Sequence, residues 1–279
     1  MSSSPRKPDF IIIGSQKAGT SSLWNALRRH PEVFMPAQKE VNYFFDARRF
    51  ARGPQWYFAH FAEAPEGVVC GEASPGYVCQ PLAPGRIADL LPHCKLILTV
   101  REPIARARSQ YWDNRRWLNE ARTFEALVDA PRRYDFDFAH RNYFTRGLYS
   151  VYIRRVLERF PRQQLLVVVF DDLRRDPAAV FSRVFDFIGV DGGFTCPEMF
   201  RATNARFVFH NPLFRFFFHR PAWAARLPVG ARRLLRVGRR VDFDPPAMPP
   251  AARAHLEAHY APYNAELAAL LGVDLDWGY

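Results

Sequence analysis

A loop rich in glycine, hydroxyl and lysine residues lies near the amino end of the chain. It runs GSQKAGTSS from Gly14 to Ser22, between an apolar run that predicts a strand and a segment that predicts a helix. Such a junction directs backbone N–H groups and a helix N-terminus at one point, which suits a phosphate. The order differs from the Walker A pattern GxxxxGK[ST], because Lys17 precedes Gly19. The alternative interpretation is an ordinary turn with a solvated lysine.

A lysine and a glutamate, Lys39 and Glu40, follow about twenty residues later in the segment QKEVNYFFD. On its own, such a pair is typical of a solvated loop. Beside an anion-binding loop, a carboxylate next to an aromatic run can act as a general base. We therefore treat Glu40 as a candidate base.

The third motif is TVREPIARARSQYW, in which an apolar strand ends at Arg101 and a predicted helix carries Ser109. A Walker-type NTPase needs an Asp at the end of a later strand to hold Mg²⁺, and this strand ends in Arg instead. A guanidinium binds phosphate through paired N–H donors, so Arg101 is a candidate for a second phosphate. A salt bridge at the strand end is the alternative.

Short apolar strands alternate with helical segments along most of the chain. We predict strands at Asp9–Gly14, Val68–Gly71, Lys95–Val100 and Leu165–Phe170, and helices at 20–29, from about Pro103, at 146–160, at 177–189 and at 249–271. Apolar strands without alternation, separated by helices, favour an α/β fold with a parallel sheet covered on both faces. We predict a single domain over 1–279, with a core at 9–190, a basic and aromatic subregion at 201–248 and a C-terminal helical region at 249–279.

Composition restricts the class of protein further. The 279 residues are 48% hydrophobic and 24% charged, which excludes disordered and collagen-like chains. No apolar run approaches the ~18–20 residues of a transmembrane helix. No secretory signal is visible, so we expect a cytoplasmic protein whose four cysteines are free thiols.

The positive charge is concentrated in one segment. The net charge is +11, and residues 201–240 hold ten arginines and no acidic residue. Within this segment, the spacing from Val229 to Val241 predicts an amphipathic helix with an arginine face, made of Arg232, Arg233, Arg236, Arg239 and Arg240. A solvated arginine face packed on the domain is the first interpretation, and contact with an anionic membrane or an acidic acceptor is the competing one. No nucleic-acid-binding module is recognisable.

Five motifs, taken together and in order, resemble the sulfotransferase family. They are GSQKAGTSSL, KEVNYFF, GEASPGY, VREPIARARSQYW and RGLYSVYIRRVLERFP, and they cover roughly residues 9–190. The most similar branch contains the heparan sulfate N- and O-sulfotransferases and their bacterial relatives. The resemblance implies a P-loop NTPase-like fold, the donor 3′-phosphoadenosine 5′-phosphosulfate (PAPS) and no metal.

The resemblance also implies roles for individual residues. The 5′-phosphosulfate would lie against Lys17, Ala18, Gly19, Thr20, Ser21 and Ser22. Arg101 and Ser109 would bind the 3′-phosphate. Glu40 would be the general base, Lys17 would offset charge on the leaving phosphate, and Lys39 would support the sulfonyl oxygens or orient Glu40.

The chain departs from the heparan sulfate enzymes at Ala73, where their motif GEKSP has a lysine. This weakens the expectation of a heparan-like acidic acceptor, and the acceptor could be a hydroxyl or amine of a carbohydrate, a lipid headgroup or a small metabolite. The alternatives are a kinase-like phosphotransferase, a binding-only protein at a membrane surface, and a sulfotransferase-like protein that binds without catalysis.

Overall fold

The structure is a computed structural model that describes residues 6–116, 120–128, 142–200, 207–209, 240–242, 246–273 and 275–279. Within these residues, the largest sheet has five parallel strands in the order β2-β3-β1-β4-β5. The strands are β1 (Phe10–Gly14), β2 (Val33–Phe34), β3 (Val69–Ala73), β4 (Lys95–Val100) and β5 (Leu165–Val169). The central strand β1 is buried at every position.

Helices cover both faces of this sheet. The α-helices of the described residues are α1 (Thr20–Leu27), α2 (Ala47–Phe50), α3 (Pro54–Phe58), α4 (Ala83–Leu90), α5 (Pro103–Arg116), α6 (Phe124–Val128), α7 (Tyr149–Leu157), α8 (Phe170–Arg175), α9 (Pro177–Ile188) and α10 (Pro250–Leu271). Among the described residues, no helix is both long and apolar enough to cross a membrane.

Successive residues of β1 pack into two separate cores, because side chains alternate between the faces of a strand. Ile11 and Ile13 lie in a core completed by α4, α7 and α10, whereas Phe10 and Ile12 lie in a core completed by α1 and α9. A sheet buried on both faces explains why its strands are continuously apolar. The predicted α/β class with a parallel sheet flanked by helices is confirmed.

The predicted elements agree with the structure to within a few residues, with some omissions. The short strand β2 and helices α2, α3, α4, α6 and α8 were not expected. The strand predicted to end at Phe170 ends at Val169, because Phe170 begins α8. The helix predicted at 146–160 begins at Tyr149, after a 3₁₀ turn at Thr145–Gly147.

The basic subregion is described in part. Strands β6 (Phe207–Phe209) and β7 (Arg240–Asp242) form an antiparallel pair. The predicted helix from Val229 to Val241 is therefore wrong at its last two residues, since β-pairing to β6 sets the backbone there. Residues 229–239, including four of the five arginines of the predicted face, lie outside the described residues. The four cysteines are buried free thiols, as expected.

Candidate active site

The candidate site lies at the carboxyl edge of the sheet, where the loops that follow the strands begin. The chain leaves β1 toward β2 on one side and leaves β4 toward β5 on the other. Ligands of open parallel sheets bind in the crevice at such a point of divergence. The loop 14–22 follows β1, the Lys39–Glu40 segment follows β2, and Arg101 follows β4, so the three predicted motifs meet at one edge.

Strand β4 fixes the start of the loop after β1. The Thr99 hydroxyl donates to the Gly14 carbonyl at 3.0 Å and accepts from the Ser15 N–H at 3.1 Å. The loop then turns sharply, with Lys17 at φ 69° and Gly19 at φ 93°, both in the left-handed region. A side chain at Gly19 would come within 2.9 Å of the Phe170 ring. Glycine is therefore required here by both the backbone conformation and the close approach of α8.

Helix α1 begins directly after Gly19, with Thr20 buried and Ser21 and Ser22 half-buried. The first N–H groups of a helix have no partner within the helix and carry its positive dipole end. Together with the two serine hydroxyls, they provide donors for an anion at this end of α1. The arrangement expected for the loop from its sequence is present.

Lys17 contacts an acidic residue that the sequence did not single out. Its Nζ lies 3.2 Å from Oδ2 of Asp113 on α5. Ser109 is four residues earlier on the same helix, and residues four apart share one helical face. The face of α5 that carries Ser109 and Asp113 is thus the one directed at the loop.

Arg101 also contacts the loop. Its Nη1 donates to the Lys17 carbonyl at 3.1 Å, and its guanidinium lies over the Phe170 ring, 4.8 Å from the centroid. Its backbone is tied to Tyr149, whose hydroxyl donates to the Arg101 carbonyl at 2.9 Å. The guanidinium is held beside the loop, where it can recognise a second anionic group.

Lys39 joins the loop segment to the candidate base. Its Nζ donates to Ser21 Oγ at 3.2 Å and lies 3.3 Å from Glu40 Oε1. The Glu40 side chain is 40% exposed, which leaves its carboxylate accessible to an incoming acceptor. The Glu40 backbone adopts φ 63° and donates its N–H to the Ala73 carbonyl at 3.1 Å. The two residues predicted as a pair thus lie at the helix end that begins with Thr20.

A buried carboxylate lies behind this segment. Glu72 on β3 is almost fully buried and accepts hydroxyl hydrogen bonds from Tyr57 and Tyr77, both at 2.9 Å, and from Ser74 at 2.7 Å. Burial raises the pKa of Glu72 to about 7, and the three hydroxyl donors offset part of that effect.

Sequence reasoning therefore found most of the residues that meet here, and missed a few. The missed residues are Asp113, Glu72 and Arg146, whose guanidinium donates to the Gln16 side chain in the loop. Two signals were available: Asp113 is one helical turn beyond Ser109, and Arg146 opens the RGLYS motif. Two groups of predicted residues contact the loop 14–22: Arg101 bonds to the Lys17 carbonyl, and Lys39 links Ser21 to Glu40. The structure gives no direct contact between Ser109 and Arg101.

A parallel sheet covered on both faces, with a glycine-containing loop between its central strand and the first helix, is typical of P-loop-like folds. The sulfotransferase domain family matches residues 7–212, and the chain belongs to that family. The crystal structure of a sulfotransferase from Alicyclobacillus acidocaldarius superposes with a TM-score of 0.74 at 25% identity, covering 98% of this chain and 100% of that one. The P-loop NTPase-like fold expected from the motifs is confirmed.

The curated relatives include heparan sulfate sulfotransferases, in agreement with the branch suggested by the motifs. The chain is 30% identical over 278 residues to the human bifunctional heparan sulfate N-deacetylase/N-sulfotransferase 3, covering 95% of this chain and 30% of that protein. It is 30% identical over 273 residues to human heparan sulfate glucosamine 3-O-sulfotransferase 6, covering 98% and 74%. The chain thus spans less than a third of the length of the bifunctional relative.

Proposed function

We propose that this sulfotransferase transfers the sulfuryl group of PAPS to a hydroxyl or amine of a carbohydrate acceptor, with Glu40 as the general base. The observation that carries the proposal is the bridge made by Lys39, which contacts Ser21 at the start of α1 and Glu40 at once. Through Lys39, the proposed base Glu40 is connected to the N-terminal end of α1, where we propose that the donor's anionic group binds. Carbohydrate is proposed as the acceptor class because the curated relatives are named for heparan sulfate.

Two separated cationic groups support a donor with phosphates at both ends. The loop 14–22 and Lys17 suit the 5′-phosphosulfate, and Arg101 with Ser109 suits the 3′-phosphate. Arg101 and Lys17 are linked through the Lys17 carbonyl, so the two groups have a fixed relation to each other. A planar guanidinium favours paired contacts to phosphate oxygens, which is the reason for assigning the 3′-phosphate to Arg101.

The reaction then requires one bond to form and one to break at sulfur. The acceptor oxygen or nitrogen attacks sulfur in line, while the bond between sulfur and the bridging phosphate oxygen breaks. Glu40 accepts the proton that the acceptor loses, and the leaving phosphate oxygen gains negative charge. Lys17 offsets that charge, and Lys39, which contacts Ser21 and Glu40, supports the sulfonyl oxygens or orients Glu40. As in phosphoryl transfer, positioning and cations contribute more than covalent chemistry by the protein.

The test combines donor binding with transfer from sulfur-labelled PAPS. Calorimetry with 3′-phosphoadenosine 5′-phosphate (PAP) measures the donor site, and labelled PAPS is offered to an N-desulfated heparan sulfate oligosaccharide, a glycolipid and a phenol. Label in the oligosaccharide supports the proposed acceptor class, whereas label only in the lipid or the phenol replaces it. Failure of the wild-type protein to bind PAP contradicts the donor assignment.

Glu40→Gln tests the base with little change of shape. Turnover should fall about 10²–10⁴-fold, the usual contribution of a general base, while PAP affinity stays within a few-fold. Glu63→Gln is the matched control, because it makes the same chemical change at an exposed glutamate outside the site. A Glu40→Gln enzyme that transfers sulfate at the wild-type rate shows that another group is the base.

A further inference from the structure

The contacts of Glu72 extend beyond its own cluster. The Ser74 hydroxyl donates to Glu72 Oε2 at 2.7 Å, and its oxygen accepts the backbone N–H of Asn42 at 3.0 Å. Ser74 is completely buried. Because the Ser74 hydroxyl donates its hydrogen bond to the carboxylate, the lone pairs of Ser74 Oγ are turned toward Asn42. The buried carboxylate is thus one hydrogen bond away from the segment that carries Glu40.

That segment has a backbone that needs external support. Glu40 and Asn42 have φ values of 63° and 53°, a conformation that costs free energy for residues other than glycine. Such conformations persist only where surrounding contacts determine them. Two contacts with the end of β3 contribute to this: the Glu40 N–H donates to the Ala73 carbonyl, and the Asn42 N–H donates to Ser74. Arg49 also donates to the Glu40 and Val41 carbonyls.

A third contact ties the same segment to the Glu72 cluster. Tyr43 stacks on Tyr57 with ring centroids 4.7 Å apart and an interplanar angle of 13°, and Tyr57 donates its hydroxyl to Glu72. A buried carboxylate is a costly way to stabilise a core, since apolar residues of similar volume do so without desolvation of a charge. The cost is explained if the carboxylate orients groups that contact the active segment.

We infer that Glu72 is a positioning residue, which holds Glu40 in its catalytic orientation through Ser74 and the Asn42 amide. The inference rests on the proposed role of Glu40 as the base. Glu72 does not touch the reacting groups, and its contribution is the direction that it gives to the Ser74 hydroxyl. When Glu72 no longer orients the Ser74 hydroxyl, the backbone of the segment 39–43 should become more mobile, and the loop 14–22 should keep its conformation.

The decisive measurement is amide hydrogen exchange of the segment 39–43, resolved to the Asn42 amide. Ser74→Ala removes the acceptor of Asn42 and should speed its exchange at least about fivefold, as expected for the loss of one intramolecular hydrogen bond. Glu72→Gln should also speed it, because the Gln amide N–H₂ can face Ser74 Oγ and leave the hydroxyl proton without its acceptor. Exchange in β1 and β4 should stay at the wild-type rate in both variants.

Tyr57→Phe is the matched control. It also removes one hydrogen bond to Glu72, but it keeps the ring that stacks on Tyr43 and leaves the Ser74 bridge intact. Its Asn42 exchange should equal that of the wild type. Equal acceleration of Asn42 in Tyr57→Phe, or acceleration throughout the sheet, shows that the cluster acts only on overall stability and overturns the inference. Acceleration in Ser74→Ala alone overturns the role of Glu72.

A second measurement separates positioning from binding. With PAPS as the probe and no added acceptor, the slow release of PAP reports transfer to water. Ser74→Ala should lower this rate about 10-fold or more, the scale expected for a displaced catalytic group, while PAP affinity stays within about twofold. Unchanged PAP release together with faster Asn42 exchange contradicts the link to Glu40. Absence of PAP binding in the wild type contradicts the proposed function instead, and the exchange measurement still decides whether Glu72 positions the segment.

Discussion

The buried carboxyl of Glu72 should make the stability of this protein depend on pH near neutrality. Burial raises its pKa from 4.5 to about 7 in the folded protein. Each pKa unit corresponds to about 1.36 kcal/mol, so the difference amounts to about 3 kcal/mol of folding free energy. This is a large share of the stability of an ordinary domain, and it should be measurable.

The sign follows from proton binding. Below pH 4.5 the carboxyl is protonated in both the folded and the unfolded chain. Between pH 4.5 and 7 the unfolded chain releases the proton and the folded protein keeps it, so the free energy of unfolding falls as the pH rises. Above pH 7 the loss is complete. The contribution of neutral Glu72 to the free energy of unfolding is thus present at low pH and absent at high pH.

Glu72→Gln isolates this effect because glutamine does not ionise. The perturbing neighbours are Tyr57, Tyr77 and Cys94, whose own pKa values burial raises, and Glu40, whose charge acts on Glu72. The tyrosines and the cysteine stay neutral through the window. Other titrating groups contribute to both proteins and cancel in the difference between them.

The assay is urea unfolding of both proteins by tryptophan fluorescence at several pH values from 4.5 to 8.5. The free energy of unfolding of Glu72→Gln, relative to that of the wild type, should rise by about 3 kcal/mol across this range. A pH-independent change in the contacts with Ser74 shifts the whole curve without changing its slope. A difference that stays constant with pH refutes the reasoning, because Glu72 would then be ionised in the folded protein well below pH 7.

Three further changes test other parts of the site. Arg101→Ala should weaken PAP by about 10- to 100-fold and leave adenosine 5′-phosphate nearly unaffected, and equal losses by calorimetry contradict the 3′-phosphate assignment. Asp113→Asn removes the carboxylate that competes for Lys17 and should tighten PAP by about 2- to 5-fold; weaker binding means that Asp113 orients Lys17 instead. Gly19→Ala should cost about 1–3 kcal/mol in urea unfolding, since φ is 93° and the new side chain meets Phe170; wild-type stability contradicts the requirement for glycine.

The fold and the loop between β1 and α1 could be predicted from the sequence because their determinants are local. Continuous apolar runs mark strands buried on both faces, and β1 and β4 are such runs. Proline and glycine mark the ends of α9, which begins at Pro177 and ends before Gly189 at φ 89°. Helices α2 and α3 have start signals, the Asp46 cap and Pro54, but they are only four and five residues long. Like the short strand β2, they lack a periodic or apolar run long enough to predict them, and they depend on packing against neighbours.

The residues that the sequence did not single out share a different property. Lys17 meets Asp113, Gln16 meets Arg146, and the Glu40 segment meets β3 through Ser74, and each contact joins segments that lie far apart in the chain. Such contacts require the register of the sheet and the rotation of α5, which a motif does not contain. The loop 14–22, which we propose binds the donor, can be recognised from nine consecutive residues because backbone geometry forms it. The proposed base, Glu40, lies in a segment that contacts β3 through Ser74, and there the sequence yields candidates whose contacts only the fold defines.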